Sequence, residues 1–286
     1  MDIPPLACDC HMHVFGPRAR YPLAAKRSYT PAEAPIERYL AWARPLGLAR
    51  VVLVQASVYG TDNRAMLDTM ARLGESCRGV AVVDPAISAV ELAALHRAGV
   101  RGLRVNLLSY GSYAEADARA TIAGLAARIA PHGWHLQIFV APTLLIALAP
   151  LLVALPVPVV VDHMSLPGAR AGLGQPGFAT LLELLASGNV WVKLAGADRI
   201  SKSNAAFAAA RPFASALVAA RPDRLVWGSD WPHIGWHTPN ATGHDEVLPF
   251  RDLDEAKLLG QLGEWSGDAA VRRGILSDNP AKLYGF

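Results

Sequence analysis

Eight apolar, β-branched runs recur along the chain, and amphipathic stretches separate them. The runs fall at Leu6–Val14, Arg50–Ala56, Gly79–Pro85, Val100–Asn106, His135–Val140, Val157–Met164, Asn189–Gly196 and Arg224–Trp231. Helical periodicity appears between them in IERYLAWARPLG, NRAMLDTMARLG, AVELAALHRAG, ARATIAGLAARIAPHG and FATLLELLASG. Several of these close on Gly, which suits a helix C-terminus. Strand–helix alternation specifies parallel βαβ units, and eight units close into a distorted (β/α)8 (TIM-type) barrel. An open, doubly wound α/β sheet is the competing arrangement. No GxGxxG or GxxxxGK[ST] phosphate loop follows any strand, which counts against its nucleotide-binding form. With 286 residues, one barrel domain over 1–286 is the expected organisation.

Composition narrows the classes of function. The hydrophobic fraction of 52% against 18% charged residues describes a chain with a large core, not a disordered one. A net charge of +3 with no run of Lys or Arg offers nucleic acid no footprint. Three cysteines, Cys8, Cys10 and Cys77, are few and odd in number, pointing to reduced thiols in the cytoplasm. The opening MDIPPLACDCHMH lacks the charged-then-apolar pattern of a signal peptide. The uncharged stretch Leu144–Val161 carries Pro150, Pro156 and Pro158, so it is read as a buried helix followed by a buried strand rather than a membrane span. The expected partner is a small molecule, with neither membrane nor nucleic acid, and a homo-oligomer is compatible with the composition.

The strand ends carry the polar residues. In order they offer His11 and His13, Gln55 and Ser57, Asp84, Arg104 and Asn106, Gln137, Asp162 and His163, Lys193, then Ser229 and Asp230. Barrel interiors are filled by apolar side chains and chemistry collects at the C-terminal rim. Polar groups at that end of nearly every strand therefore mark an active-site mouth. Three Pro/Gly-rich loops, Phe15–Pro35, Ser165–Gly177 and Pro232–Asp252, each follow a strand and would border it.

The densest cluster is Cys8-Asp9-Cys10-His11-Met12-His13. Strict alternation puts Asp9, His11 and His13 on one face, with Cys8, Cys10 and Met12 turned to the helix layer. That arrangement makes a Cys/His zinc site within this run awkward. His163 ends an apolar run at VVVDHM, where a satisfied core histidine is the ordinary alternative. Asp230 follows a strand directly, and Trp231-Pro232 begins no helix it could cap. An ionised Asp230 can take a proton from water attacking a carbonyl, and partial desolvation would raise its basicity. His11, His13 and His163 can stabilise the oxyanion as hydrogen-bond donors or by holding a divalent cation.

HxH on the first strand, VDH on the sixth, GSDWPH on the eighth and the closing NPAKLYGF resemble the amidohydrolase superfamily. FGP, YPL, SYTP, LVQASVYGTDN, GVAVVDP, GVRGLRVN and GWHLQIFV are similar to its 2-pyrone-4,6-dicarboxylate lactonase group, from Asp9 to Phe286. The resemblance implies hydrolysis of a small anionic or polyol lactone, with Asp230 as general base and His11, His13 and His163 around the carbonyl oxygen. It also implies substrate contacts from Tyr29, Ser57, Arg104, Gln137 and Arg199, the two arginines suiting a carboxylate.

Departures from the family pattern sharpen these expectations. Binuclear amidohydrolases carry a lysine on strand four and histidines on strands five and six. Here Arg104, Gln137 and His163 occupy those strands, which argues against two metals. The expectation is a reaction with no required cofactor, as in some members of the group. One zinc or other divalent ion on His11, His13, His163 and Asp230 is the alternative. After Arg104 the chain runs on through Leu107-Leu108-Ser109-Tyr110 without a second arginine, which argues against a dicarboxylate substrate. A lactone isomerase, a non-oxidative decarboxylase and a non-catalytic binding barrel are the competing functions.

Overall fold

The structure is a computed structural model that describes residues 2–109, 113–201, 206–236 and 246–286. Eight parallel strands form one sheet in sequential order: β1 (Ala7–Met12), β2 (Leu48–Val54), β3 (Cys77–Ala81), β4 (Val100–Asn106), β5 (His135–Phe139), β6 (Val159–Val161), β7 (Val190–Leu194) and β8 (Leu225–Trp227). The seam between β8 and β1 closes just past the strands. There Asp230 N donates to His11 O at 2.8 Å and His13 N donates to Trp231 O at 2.9 Å. The eightfold barrel is thus present, with all eight expected strands in place.

Helices α1 (Ile36–Ala43), α2 (Arg64–Leu73), α3 (Ala89–Arg97), α4 (Glu115–Ile129), α5 (Pro142–Ala154), α6 (Pro176–Ala186), α7 (Ala206–Ala220) and α8 (Glu255–Ser266) pack outside. The local signals act as expected. Ser88 and Glu91 form a reciprocal capping box at the start of α3, and α2 runs into Gly74 at φ +60°. The uncharged stretch divides into α5 and β6, and no helix among the described residues is long and apolar enough to cross a membrane.

Inside the barrel, Cys8, Cys10, Val52, Val54, Val80, Val160, Trp191 and Val226 touch one another, with Tyr284 from the C-terminal helical turn joining them. Side chains from six strands can meet this way only in the interior. Tyr284 is fully buried and explains the closing NPAKLYGF: Asn279 ties that turn to Pro222 O at 2.8 Å and Leu225 O at 2.7 Å.

This packing corrects the strict alternation expected for β1. Asp9 pairs with Val51 and Met12 with Leu53, so three steps on β1 match two on β2. The extra residue is a β-bulge, which re-aims side chains locally. Cys8 and Cys10 face inward, not toward the helix layer. His11 also turns inward, where it meets Lys193 of β7. Met12 joins the outer core, and Asp9 turns out to meet Tyr39 of α1 at 3.2 Å.

Candidate active site

Asp9 holds the seam. Its Oδ1 accepts from the backbone N–H of His11 and of Ser229, both at 3.0 Å, and its Oδ2 accepts from the Ser229 hydroxyl at 2.5 Å. The bulge that turns His11 inward takes its N–H off the strand ladder, and Asp9 supplies the acceptor. Burial pushes the Asp9 carboxyl up to about 6 despite these hydrogen bonds.

Asp230 leaves β8 at φ +60°, a left-handed conformation that costs a non-glycine residue of order 1–2 kcal/mol. Its Oδ1 is ringed by three imidazole nitrogens: His11 Nε2 at 3.7 Å, His13 Nε2 at 3.6 Å and His163 Nε2 at 3.8 Å. Its Oδ2 accepts from Arg199 Nε at 2.7 Å. Burial pushes the Asp230 carboxyl up, but Arg199 and the histidines outweigh it and hold it well below the usual carboxylate range. Desolvation alone was expected to raise its basicity. Arg199, expected as a substrate contact, reverses that outcome by pairing with Asp230.

His163 is the first of four consecutive left-handed residues, His163 to Leu166, with φ between +48° and +57°. This strained turn directs its ring toward Asp230, while Phe139 packs edge-on against it at 5.1 Å. His13 Nδ1 lies 2.8 Å from Val54 O. A carbonyl only accepts, so Nδ1 carries a hydrogen, and Nε2 is the nitrogen turned toward Asp230.

Beneath His11 lies a buried polar cage. Asp162 Oδ2 accepts from Arg104 Nε and Gln137 Nε2, both at 3.0 Å. Lys193 Nζ donates to Cys10 O at 2.9 Å and Gln137 Oε1 at 2.6 Å. Burial lowers Lys193 to about 8. Burial also pushes His11 well below its ordinary value, against the pull of Asp162, so His11 stays neutral.

Above these groups opens a cleft of about 190 Å³, lined by His13, Tyr29, Ser57, Arg104, His163, Arg199 and Asp230 among the catalytic-type residues. Pockets for drug-sized ligands run roughly 300–1,000 Å³, so this cleft suits a small ring. Tyr29 comes from the loop after β1, Leu166 from the loop after β6, and Ile234 and Trp236 from the loop after β8. All three long loops thus border the mouth. Burial pushes the Tyr29 phenol up to about 12, against its hydrogen bond with Ser57. A larger surface groove of about 660 Å³ holds Asp62, Asp84 and Glu91. Those acids are spent locally, on Arg64, on Ala86 N and on the α3 capping box.

Of the expected site residues, eight converge: Asp230, His11, His13, His163, Tyr29, Ser57, Arg104 and Arg199. Gln137 does not line the cleft; it is fully buried with both ends of its amide engaged in the cage. It sits too low on its strand to reach a ligand. Tyr110 and part of the loop Pro232–Asp252 lie outside the described residues. Sequence reading missed the cage itself. Its signal was a polar residue one or two places short of a strand end, on β5 and β7, where an apolar one is the rule.

Residues 8–286 match the family model described as Amidohydrolase. This chain belongs to the amidohydrolase family. It is 38% identical over 292 residues to a 2-pyrone-4,6-dicarboxylate hydrolase of Comamonas testosteroni, covering 99% of this chain and 91% of that protein. It is 37% identical over 285 residues to a 4-sulfomuconolactone hydrolase of Rhizobium radiobacter, again covering 99% and 91%. Its fold matches the crystal structure of a putative 2-pyrone-4,6-dicarboxylic acid hydrolase from Pseudomonas putida with a TM-score of 0.79, at 34% identity, covering 99% and 98% of the two chains.

Metal capacity of this amidohydrolase follows from the donor set. His11, His13 and Asp230 bring ligand atoms within 4.8 Å of one another, and His11 Nε2 is buried without a hydrogen-bond partner. An orphaned imidazole nitrogen facing a carboxylate suits one divalent cation. A second cluster, His11, Asp162 and His163, shares His11. Its carboxylate is already flanked by Arg104 and Lys193, so a second cation would meet two positive charges. No cysteine takes part in either cluster.

Proposed function

We propose that this amidohydrolase opens small anionic or polyol lactones by hydrolysis. The observation that carries the reading is Asp230 Oδ1, ringed by three imidazoles at the floor of a small cleft walled by Arg104 and Arg199. The names of its relatives, hydrolases of a pyrone dicarboxylate and a sulfomuconolactone, support an anionic ring.

Asp230 orients a water and takes its proton as the water oxygen bonds to the lactone carbonyl carbon. Negative charge develops on the carbonyl oxygen, and His163 and His13 border the space it would occupy. The ring C–O bond then breaks, the proton passes from Asp230 to the leaving oxygen, and an open-chain hydroxy acid departs. Arg104 and Arg199 attract a substrate carboxylate, while Tyr29 and Ser57 offer hydroxyls to a polyol. A divalent cation, if bound by His11, His13 and Asp230 with His163 beside them, would polarise the lactone carbonyl.

The test is a panel of pyrone-carboxylate, muconolactone and aldonolactone substrates, followed by acid release. Asp230→Asn should lower kcat by about 10²–10⁴; unchanged turnover would remove Asp230 as the base. Ring migration without proton release would replace hydrolysis with isomerisation. Activity retained after exhaustive chelation upholds a cofactor-free reaction, and loss reversed by one equivalent of zinc replaces it with a single-ion site.

A further inference from the structure

Three imidazoles surround Asp230 Oδ1, and the hydrogens each ring carries decide whether it offers a lone pair or a donor. For His13 the Val54 carbonyl fixes a hydrogen on Nδ1. For His11 two neighbours compete at Nδ1. Asp162 Oδ1 lies 3.3 Å away and can only accept, while Lys193 Nζ lies 3.4 Å away and can only donate when charged.

The two arrangements differ in what they leave unpaired. If Lys193 donates to His11 Nδ1, then Asp162 Oδ1, an ionised oxygen fully inside the barrel, has no hydrogen bonded to it. If His11 Nδ1–H turns to Asp162 Oδ1, that oxygen is satisfied. Lys193 keeps its bonds to Cys10 O and Gln137 Oε1, and its third hydrogen still has Asp162 Oδ1 at 3.8 Å. A buried charged acceptor left without a donor is costlier than one ammonium hydrogen held only at ion-pair distance from a carboxylate. Asp162 is itself held in place from its other oxygen by Arg104 and Gln137, so it cannot swing away.

We infer that Asp162 is a positioning residue that fixes His11 as the Nδ1–H tautomer, turning a bare Nε2 lone pair toward Asp230. The His11 lone pair then faces the carboxylate oxygen across 3.7 Å, and the two acceptors form a site for a group that brings positive character, such as a water hydrogen or a divalent cation. His11 in this state cannot donate a hydrogen bond to an oxyanion, which leaves His163 as the histidine whose tautomer is free to do so. The inference concerns the resting site, so it stands or falls apart from the lactone reading.

The experiment is long-range ¹H–¹⁵N correlation on protein labelled in its histidine rings, near neutral pH and without substrate. The His11 signals are assigned by their loss in His11→Gln. The wild type should show a protonated Nδ1 and an unprotonated Nε2, and the reverse pattern would overturn the inference. In Asp162→Asn the oxygen stays with Arg104 and Gln137, which puts the amide NH₂ opposite His11 Nδ1. The tautomer should then invert, and an unchanged spectrum would assign control to another group. Lys193→Met keeps the side-chain volume and removes the competing donor. It should leave the His11 tautomer as in the wild type, and inversion there would show Lys193 in control. Zinc added as a probe, followed by competition with a chromophoric chelator, should bind about 10–100-fold more weakly to Asp162→Asn. Equal affinity would deny that the lone pair faces the site.

Discussion

Asp9 and Asp230 are both buried carboxylates of one barrel seam, and their surroundings push them in opposite directions. Asp230 faces a guanidinium and three imidazoles and is held strongly acidic. Asp9 meets only neutral donors, and burial raises it to about 6. The first is arranged to carry charge into a cleft, the second to anchor backbone. Removing Asp9 as an acceptor strands the N–H groups of His11 and Ser229, at about 1–3 kcal/mol each. Asp9→Ala should therefore lose about 2–5 kcal/mol in urea unfolding. Asp9→Asn, which keeps one acceptor oxygen, should lose clearly less. Equal losses would mean that the carboxylate acts through its charge and not as an acceptor for these amides.

At the level of elements, the site depends on three departures from regular geometry: the bulge in β1, the left-handed turn after β6 and the left-handed Asp230 after β8. Each re-aims one member of the Asp230 cluster. Gly228 makes the first departure possible. A Cβ there would lie 2.6 Å from His11 Cβ and 2.9 Å from His11 N, closer than real contacts allow. Gly228→Ala should push His11 off Asp230, destabilising the protein by about 1–3 kcal/mol and lowering kcat at least tenfold. A variant with wild-type stability and turnover would show that the seam has slack. Gly196, at φ +66° and with a Cβ position 3.0 Å from His163, plays the corresponding part on the other side.

Across the whole molecule, polar groups buried in the barrel make stability depend on pH. His135 sits inside, next to Tyr284, and burial lowers it from 6.5 to about 3. Between those values the unfolded chain takes up a proton that the folded chain refuses. Its contribution to stability is therefore lost as pH falls from 6.5 toward 3, at roughly 1.4 kcal/mol per unit. Asp9 has the opposite sign over 3.8 to about 6, because there the folded state holds the extra proton. Comparing wild type with His135→Phe isolates the first term. The variant should lose less stability than wild type between pH 6 and 4, and parallel curves would show that His135 titrates normally in the fold.

Read alone, the sequence determined the eight strands, most helices, seven residues that line one cleft, and His11 buried against Asp230 beside them. Those depend on local periodicity, turn chemistry and the rule that strand ends face one rim. It did not determine which way β1's side chains point. Period-two alternation holds only for an unbroken ladder, and the bulge is defined by pairing with β2. Nor did it show that Gln137 and Lys193 lie under the site, or that Arg199, expected to meet the substrate, pairs with Asp230. Depth along a barrel strand and the partner of a long cationic side chain are set by neighbours 25 or more positions away in the chain. Only closure of the barrel brings them into contact.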